Sequence, residues 1–319
     1  MSVAYVFPGQ GAQYVGMGRE LASAYPVAEQ TIRAADGALG FSLSDIIFSG
    51  PEATLRLTYY TQPAIMAVSI AALRVFEEQV EGVVPAFVAG HSLGEYTALV
   101  AAGAIAYEDA LQLVHYRGRL MDEAVPAGEG TMAAVLAADL ELLDDLCVSI
   151  TQTLGQPVEL ANINCPGQVT VSGAIGAVEE LIVRAKEAKA KRAIKLDVSG
   201  PFHSSLMAPA ADRLAKALGD QTWQPPQVPL VANVSAKALR AVDEVTLALR
   251  EQLAAPVRWE ESVKAMVAAG VDTFVEFGPG SVLSGLVRKT DKRVKTLQVE
   301  ELTSLADTVA FFRQEGSPE

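Results

Sequence analysis

Short apolar runs alternate with stretches of helical periodicity along most of this 319-residue chain. The runs VAYVF at 3–7, PAFVA at 85–89, VPLVAN at 228–233 and DTFVEF at 272–277 lie close to glycine or proline and read as buried strands. Apolar residues recur at helical spacing over 63–78, 93–103, 107–121, 205–218, 243–254 and 260–269. Strands alternating with helices predict a mostly parallel sheet with helices on both faces. The middle of the chain breaks this rhythm. After the proline- and glycine-containing EAVPAGEG (123–130) come TMAAVLA as a strand, LELLDDLCVSITQTL as a helix, and VELANIN and QVTVSG as two strands. AIGAVEELIVRAKEAKAK then reads as a helix and RAIKLDV as a last strand. The order βαββαβ is that of the ferredoxin-like split unit. The expected organisation is a discontinuous α/β domain over 1–127 and 200–319, carrying an inserted small subdomain over 128–199.

Composition narrows the function classes. Half the residues are hydrophobic, enough for a sizeable core, and the net charge of −13 argues against a nucleic-acid partner, whose phosphates would be repelled. The two cysteines, Cys147 and Cys165, form neither a disulfide framework nor a metal-ligand pattern. MSVAYVFPGQGAQ lacks the basic segment and apolar stretch of a secretory signal, and no apolar run reaches the ~18–20 residues needed to span a bilayer. A cytoplasmic protein that needs no membrane, metal or cofactor is expected.

The chemistry is concentrated in VPAFVAGHSLGEYTALVAAGA, residues 84–104, where Gly90-His91-Ser92-Leu93-Gly94 separates a strand from a helix. Gly-x-Ser-x-Gly in that setting is the nucleophile elbow. The serine occupies a sharp, strained turn, and Cβ atoms two residues away would crowd it. Its hydroxyl stands at a helix N-terminus, where backbone N–H groups can stabilise an oxyanion. The bland alternative is a tight turn whose serine caps the helix. A serine nucleophile needs a base, and the chain holds three histidines. His91 adjoins Ser92 on a turn where neighbouring side chains diverge, so it lines or supports the pocket. His115, in LQLVHYRGR, reads as a helix-face histidine. His203, in DVSGPFHSSLM, lies in a loop between strand and helix, the placement typical of catalytic groups, and is taken as the base. Serine before histidine fits an α/β-hydrolase-like domain, although no acid stands out as a third member.

FPGQGAQ (7–13) follows the first strand but fails the dinucleotide pattern because Tyr14 stands where a third glycine is required, and no Gly-Lys pair offers a phosphate loop. Gly9 and Gly11 either let a backbone N–H approach a reacting oxygen or simply make a turn. Taken with TQPAI, GHSLGEYTALVAAG, YRGRLM, NINCPGQVTVSG, GPFHSSLM, QLAAPVRW and FGPGSVLSGL, in that order, this loop makes residues 3 to about 290 resemble the malonyl-CoA:acyl carrier protein transacylases. The acyltransferase domains of polyketide synthases share much of the pattern.

The resemblance implies an acyltransferase that moves a malonyl group from malonyl-CoA to the pantetheine thiol of holo-acyl carrier protein, in fatty acid or polyketide synthesis, through a malonyl ester on Ser92. It implies His203 as base, oriented by a main-chain carbonyl near Gln252, and the backbone N–H groups of Gln10 and Leu93 as oxyanion hole. Arg117 would hold the malonyl carboxylate, as a planar guanidinium can with two parallel hydrogen bonds. Phe202 either fills space that a C2 methyl would need or packs in the core. For Gln62 and Asn162, in the family's motifs, structural hydrogen bonding is favoured over substrate contact. Cys165 stands where serine is usual. Two rival readings remain at this stage: a serine hydrolase, which would ordinarily complete a triad with Asp or Glu, and a non-catalytic carrier-docking subunit. Lys186, Lys189, Lys191, Arg192 and Lys195 form the basic stretch nearest the last strand of the small subdomain, and a solvated face is favoured there over a docking patch.

Overall fold

The computed structural model describes residues 1–126 and 128–315; residue 127, at the expected domain boundary, and residues 316–319 lie outside the described residues. Its strands are, in chain order, β1 (Val3–Phe7), β2 (Phe87–Gly90), β3 (Gly130–Leu136), β4 (Val158–Cys165), β5 (Gln168–Ala174), β6 (Arg192–Lys195), β7 (Leu230–Val231), β8 (Ala238–Leu239), β9 (Thr273–Phe277) and β10 (Lys295–Val299).

The larger sheet has the order β10-β9-β1-β2-β7-β8, parallel throughout except for β8. Every residue of β1 and β9 is buried, as expected for central strands covered by helices on both faces. That is why they read as near-continuous apolar runs. β10, KTLQV, lies at the edge and alternates in polarity, so a search for apolar runs passes over it. The expected strand 228–233 shrinks to Leu230–Val231 because the next backbone donors turn elsewhere: Ala232 N–H donates to Lys237 O (3.0 Å) and Asn233 N–H to Glu95 (3.4 Å).

The second sheet has the order β4-β5-β3-β6, all antiparallel, which is the ferredoxin-like arrangement. Alternation along its strands separates two faces. Ala133, Val135, Val169 and Val171 pack with Leu143, Ile150 and Leu181 of helices Leu140–Leu154 and Ile175–Arg184 into a core of their own. Each large aliphatic side chain fully buried there contributes roughly 1.5–3 kcal/mol. Met132 and Thr170, one residue out of phase, turn the other way and line a cleft against the large sheet. The long helix expected up to residue 191 ends at Arg184. A 3-10 turn, Ala185–Ala188, follows, and Lys189 closes it in the left-handed region at φ 58°. Reciprocal backbone bonds, Ile163 N–H to Val257 O (2.9 Å) and Val257 N–H to Ala161 O (2.8 Å), fasten β4 to the large unit.

The helices Leu93–Ala101, Tyr107–Glu123, Val242–Gln252 and Trp259–Ala268 match their periodicity closely. Helices over Arg19–Ala24, Pro26–Leu39, Leu43–Ser49 and Glu52–Leu55, of which only Pro26–Leu39 exceeds two turns, join β1 to helix Thr58–Gln79. The shortest of these are too brief to show a repeating apolar face. Among the described residues no helix is long and apolar enough to cross a membrane.

Candidate active site

β1 and β2 are parallel neighbours with Phe7 opposite Gly90, so the loops that follow them emerge side by side at the carboxyl edge of the sheet. Ligands of open α/β sheets bind at that edge. The loop after β2 contains Ser92, whose φ of 52° and ψ of −103° place it outside the ordinary regions for a non-glycine residue. Such a conformation costs on the order of 1–3 kcal/mol and persists only where the surroundings enforce it. The flanking glycines show how they do so. A Cβ on Gly90 would overlap the Gly94 carbonyl group, and one on Gly94 would overlap the carbonyl oxygen of Phe7. The Ser92 N–H donates to Asn233 Oδ1 at 2.8 Å, and Asn233 Nδ2 donates to Gly90 O at 2.7 Å, which locks the turn from outside.

His203 lies in the segment between β6 and helix Ala208–Gly219 and also has a positive φ, 58°. Its Nε2 is 2.7 Å from Ser92 Oγ, while its Nδ1 is 2.9 Å from the carbonyl oxygen of Gln252. A carbonyl can only accept, so Nδ1 carries the proton and Nε2 is left as an acceptor toward the serine. Burial, reinforced by the positive charge of Arg117, pushes this imidazole down to about 3, with the Gln252 carbonyl pulling in the opposite direction. The ring is therefore neutral at pH 7, as a base requires.

Arg117 reaches the same serine from helix Tyr107–Glu123. Gly118 lets this helix approach helix Thr58–Gln79, since a Cβ there would stand 2.5 Å from Tyr59 Cα. The guanidinium is fully buried, and burial lowers its pKa. Nη2 donates to Ser92 Oγ and to Gln252 Oε1, both at 3.0 Å, and Nη1 donates to Gln62 Oε1 at 2.8 Å and to Met121 Sδ at 3.2 Å. The Tyr96 ring lies 5.4 Å from its Cζ. Gln62 is thus a hydrogen-bonding support for the cation. Arg119, two residues on, sits on the surface 3.6 Å from Glu123.

A cleft of about 280 Å³ opens over these groups, lined on one side by Gln10, Leu93 and Phe202 and on the other by Asn162, Asn164 and Thr170. Leu93 begins the helix that follows the elbow, and Gln10 lies in the loop after β1. Neither backbone N–H meets a main-chain acceptor among the described residues. Phe202 both lines the cleft and belongs to the main core, so packing and shaping of the cleft are the same contact. His91 points across to the small sheet, with Nε2 2.8 Å from Asn164 Oδ1, and burial lowers its pKa. His115 lies elsewhere, with Nδ1 2.7 Å from Tyr59 O.

Glu95, Asn233, Met121 and Asn164 join the site without having been singled out from the sequence. Glu95 had a signal. It is the one acidic residue in the apolar stretch 84–104.

The acyl transferase domain family model matches residues 4–309. The chain is 48% identical to the malonyl CoA-acyl carrier protein transacylase of Bacillus subtilis (strain 168), over 98% of each chain. Its structure is similar to the acyl carrier protein S-malonyltransferase of Vibrio cholerae, with TM-score 0.93 and 44% identity, covering 97% of this chain and 100% of that one. It is also similar to a malonyl-transacylase bound to a type II polyketide synthase acyl-carrier protein, with TM-score 0.94 and 43% identity, covering 98% of this chain and 100% of the other.

Proposed function

The chain belongs to the acyl transferase family, and from that premise we propose that it carries a malonyl group from malonyl-CoA to the pantetheine thiol of holo-acyl carrier protein, in the cytoplasm, by way of an ester on Ser92. The observation that carries this reading is the meeting of a neutral base and a buried cation at one oxygen: Ser92 Oγ is 2.7 Å from His203 Nε2 and 3.0 Å from Arg117 Nη2. A general esterase needs the base. A malonyl transferase also needs the cation, because its acyl group ends in a carboxylate that would otherwise be buried unpaired.

The steps follow from these atoms. Ser92 Oγ attacks the thioester carbonyl and its proton passes to His203 Nε2. The oxyanion forms beside the N–H groups of Gln10 and Leu93, which supply electrostatic stabilisation. The C–S bond breaks, and His203 returns the proton to the departing sulfur of coenzyme A. In the second half, His203 takes the proton of the carrier's thiol, whose sulfur attacks the ester carbonyl. The C–O bond then breaks and the proton goes back to Ser92 Oγ. An imidazolium beside the Arg117 charge is unfavourable, so His203 gives up its proton readily in each half. Arg117 grips the malonyl carboxylate, Phe202 occupies the volume next to its C2 carbon, and Asn162 faces the acyl and pantetheine arm. A hydrolase of the usual triad type would place Asp or Glu on His203 Nδ1; the Gln252 carbonyl occupies that place.

Intact-mass measurement tests this directly. After incubation with malonyl-CoA the protein gains one malonyl adduct that lasts for minutes and is discharged by holo-acyl carrier protein. Ser92→Ala keeps its melting temperature, gains no adduct and loses transfer by several orders of magnitude. An adduct on folded Ser92→Ala, or immediate release of malonate by the unaltered protein, overturns the mechanism.

A further inference from the structure

Glu95 is a fully buried acid to which the steps above assign nothing. Its Oε2 accepts a 2.6 Å hydrogen bond from Gln252 Nε2, and the Asn233 N–H approaches both of its oxygens at 3.4 Å. An ionised carboxylate accepts and cannot donate. It therefore dictates which end of the Gln252 amide faces it, and that end must be the NH2 group. The hydrogens of this NH2 are taken by Glu95 and by Ser92 O, the latter at 2.9 Å. The amide oxygen is left facing the other way, where it receives Arg117 Nη2 at 3.0 Å. The same Nη2 reaches Ser92 Oγ.

We propose that Glu95 is a positioning residue for malonyl selectivity: by fixing the Gln252 amide it aims the Arg117 guanidinium at the acyl group on Ser92. This rests on the carboxylate-gripping role proposed for Arg117. Glu95→Gln is the isosteric probe, because it leaves one acceptor oxygen where the carboxylate has two and puts a donor in place of the other. If its oxygen faces Gln252, its NH2 meets the Asn233 N–H. If its NH2 faces Gln252, the Gln252 amide turns over and presents a donor to Arg117.

Protonation of Glu95 introduces the same conflict. Burial raises this carboxyl to about 7, against the opposing pull of Gln252, Asn233 and Arg117. The titratable and charged groups acting on it are Arg117, from helix Tyr107–Glu123, and Tyr96, on its own helix; Gln252 and Asn233, from the other side, are neutral. Above about pH 7 the carboxylate holds Gln252, and as pH falls through 7 the hold weakens, because one acceptor oxygen becomes a donor. His203, at about 3, does not titrate over that interval.

The test is kcat/KM for malonyl-CoA and acetyl-CoA in unaltered protein, Glu95→Gln, Arg117→Ala and the double variant, across the neutral pH range, with melting temperatures recorded. Glu95→Gln is expected to lower the malonyl-to-acetyl ratio about 10-fold above neutrality, the scale of one hydrogen bond to a charged group. The ratio in unaltered protein should fall as pH drops through 7, whereas in Glu95→Gln it should be flat. On the Arg117→Ala background, Glu95→Gln should leave the ratio unchanged, since the coupling runs through Arg117. A proportional loss for both substrates, a rise in the ratio, or the same loss with and without Arg117 overturns the inference. If Arg117→Ala leaves the ratio untouched, the reading of Arg117 fails first and takes this one with it. The pH profile of unaltered protein needs no substitution, and a flat ratio there is likewise decisive against it.

Discussion

The two walls of the cleft are built on opposite plans. The wall from the parallel sheet holds buried charges, Arg117 and Glu95, tied through Gln252 to both Ser92 and His203. The wall from the antiparallel sheet presents Met132, Asn162, Asn164, Gln168 and Thr170, all neutral. Asn162 is the sharpest contrast with Arg117: against the expectation of structural hydrogen bonding, its side-chain amide has no hydrogen-bond partner among the described residues and lines the cleft instead. Burying a charge is costly unless it is hydrogen-bonded, so the first wall is made of groups that hold one another: Gln62, Met121, Gln252 and Ser92 meet the Nη groups of Arg117, while its buried Nε has no partner among the described residues. A neutral amide costs less to leave unpaired at a cleft than a charge does, and the Asn162 amide is available to a ligand, whereas Asn164 Oδ1 is already engaged by His91. Charge discrimination and bond making are proposed for the first wall, and reception of the long acyl and pantetheine arm for the second.

Replacing Arg117 should give the largest effect. Arg117→Ala is expected to lower kcat/KM for malonyl-CoA at least ~10²-fold, within the ~2–5 kcal/mol of a buried charge contact, and to lower that for acetyl-CoA far less. Arg117→Lys should recover little, because an ammonium lacks the fork that grips a carboxylate. Equal losses on both substrates would erase the distinction between the walls.

A smaller change is expected across the cleft. Asn162→Ala should raise KM for malonyl-CoA and acetyl-CoA alike, by up to about 10-fold, as the loss of one neutral hydrogen bond implies. A malonyl-selective loss there would place charge recognition on both walls and break the comparison.

The smallest effect lies outside the cleft. Within the basic stretch, Lys189 is engaged by Asp139 at 3.0 Å and Lys195 by Glu179 at 2.8 Å, whereas Lys191 and Arg192 are exposed. If the small subdomain also receives the acidic carrier, Lys191→Glu with Arg192→Glu should raise the carrier's KM a few-fold at low salt, roughly the effect of rim charges. Acylation by malonyl-CoA should not change. Unchanged carrier kinetics would shift docking toward Arg288, Lys289 and Lys292.

Much of this was legible in the chain itself. Gly90-x-Ser92-x-Gly94 is a local device whose parts lie two residues apart, so the elbow could be read before any fold was known. β1, β2 and β9 were readable because burial on both faces leaves an apolar run. β10 was not, because an edge strand alternates. His203 emerged by elimination among three histidines, but nothing nearby in sequence reveals that its Nδ1 is served by a carbonyl rather than an acid.

Sequence alone determined the Gly90-x-Ser92-x-Gly94 turn, the order of elements and the alternation that gives each sheet its buried face, since these depend on spacings of two to four residues. Tertiary structure decided which charges are buried and to what they are bonded. Arg117 and Arg119 are equal by composition, yet two steps along a helix turn a side chain through roughly 200°. Packing against helix Thr58–Gln79 selects Arg117 for the interior and leaves Arg119 beside Glu123 at the surface. Gln252 joins Glu95, Arg117 and Ser92 across separations of 157, 135 and 160 residues. No local pattern encodes those contacts, because they exist only once the sheet has brought the ends of distant elements to one edge.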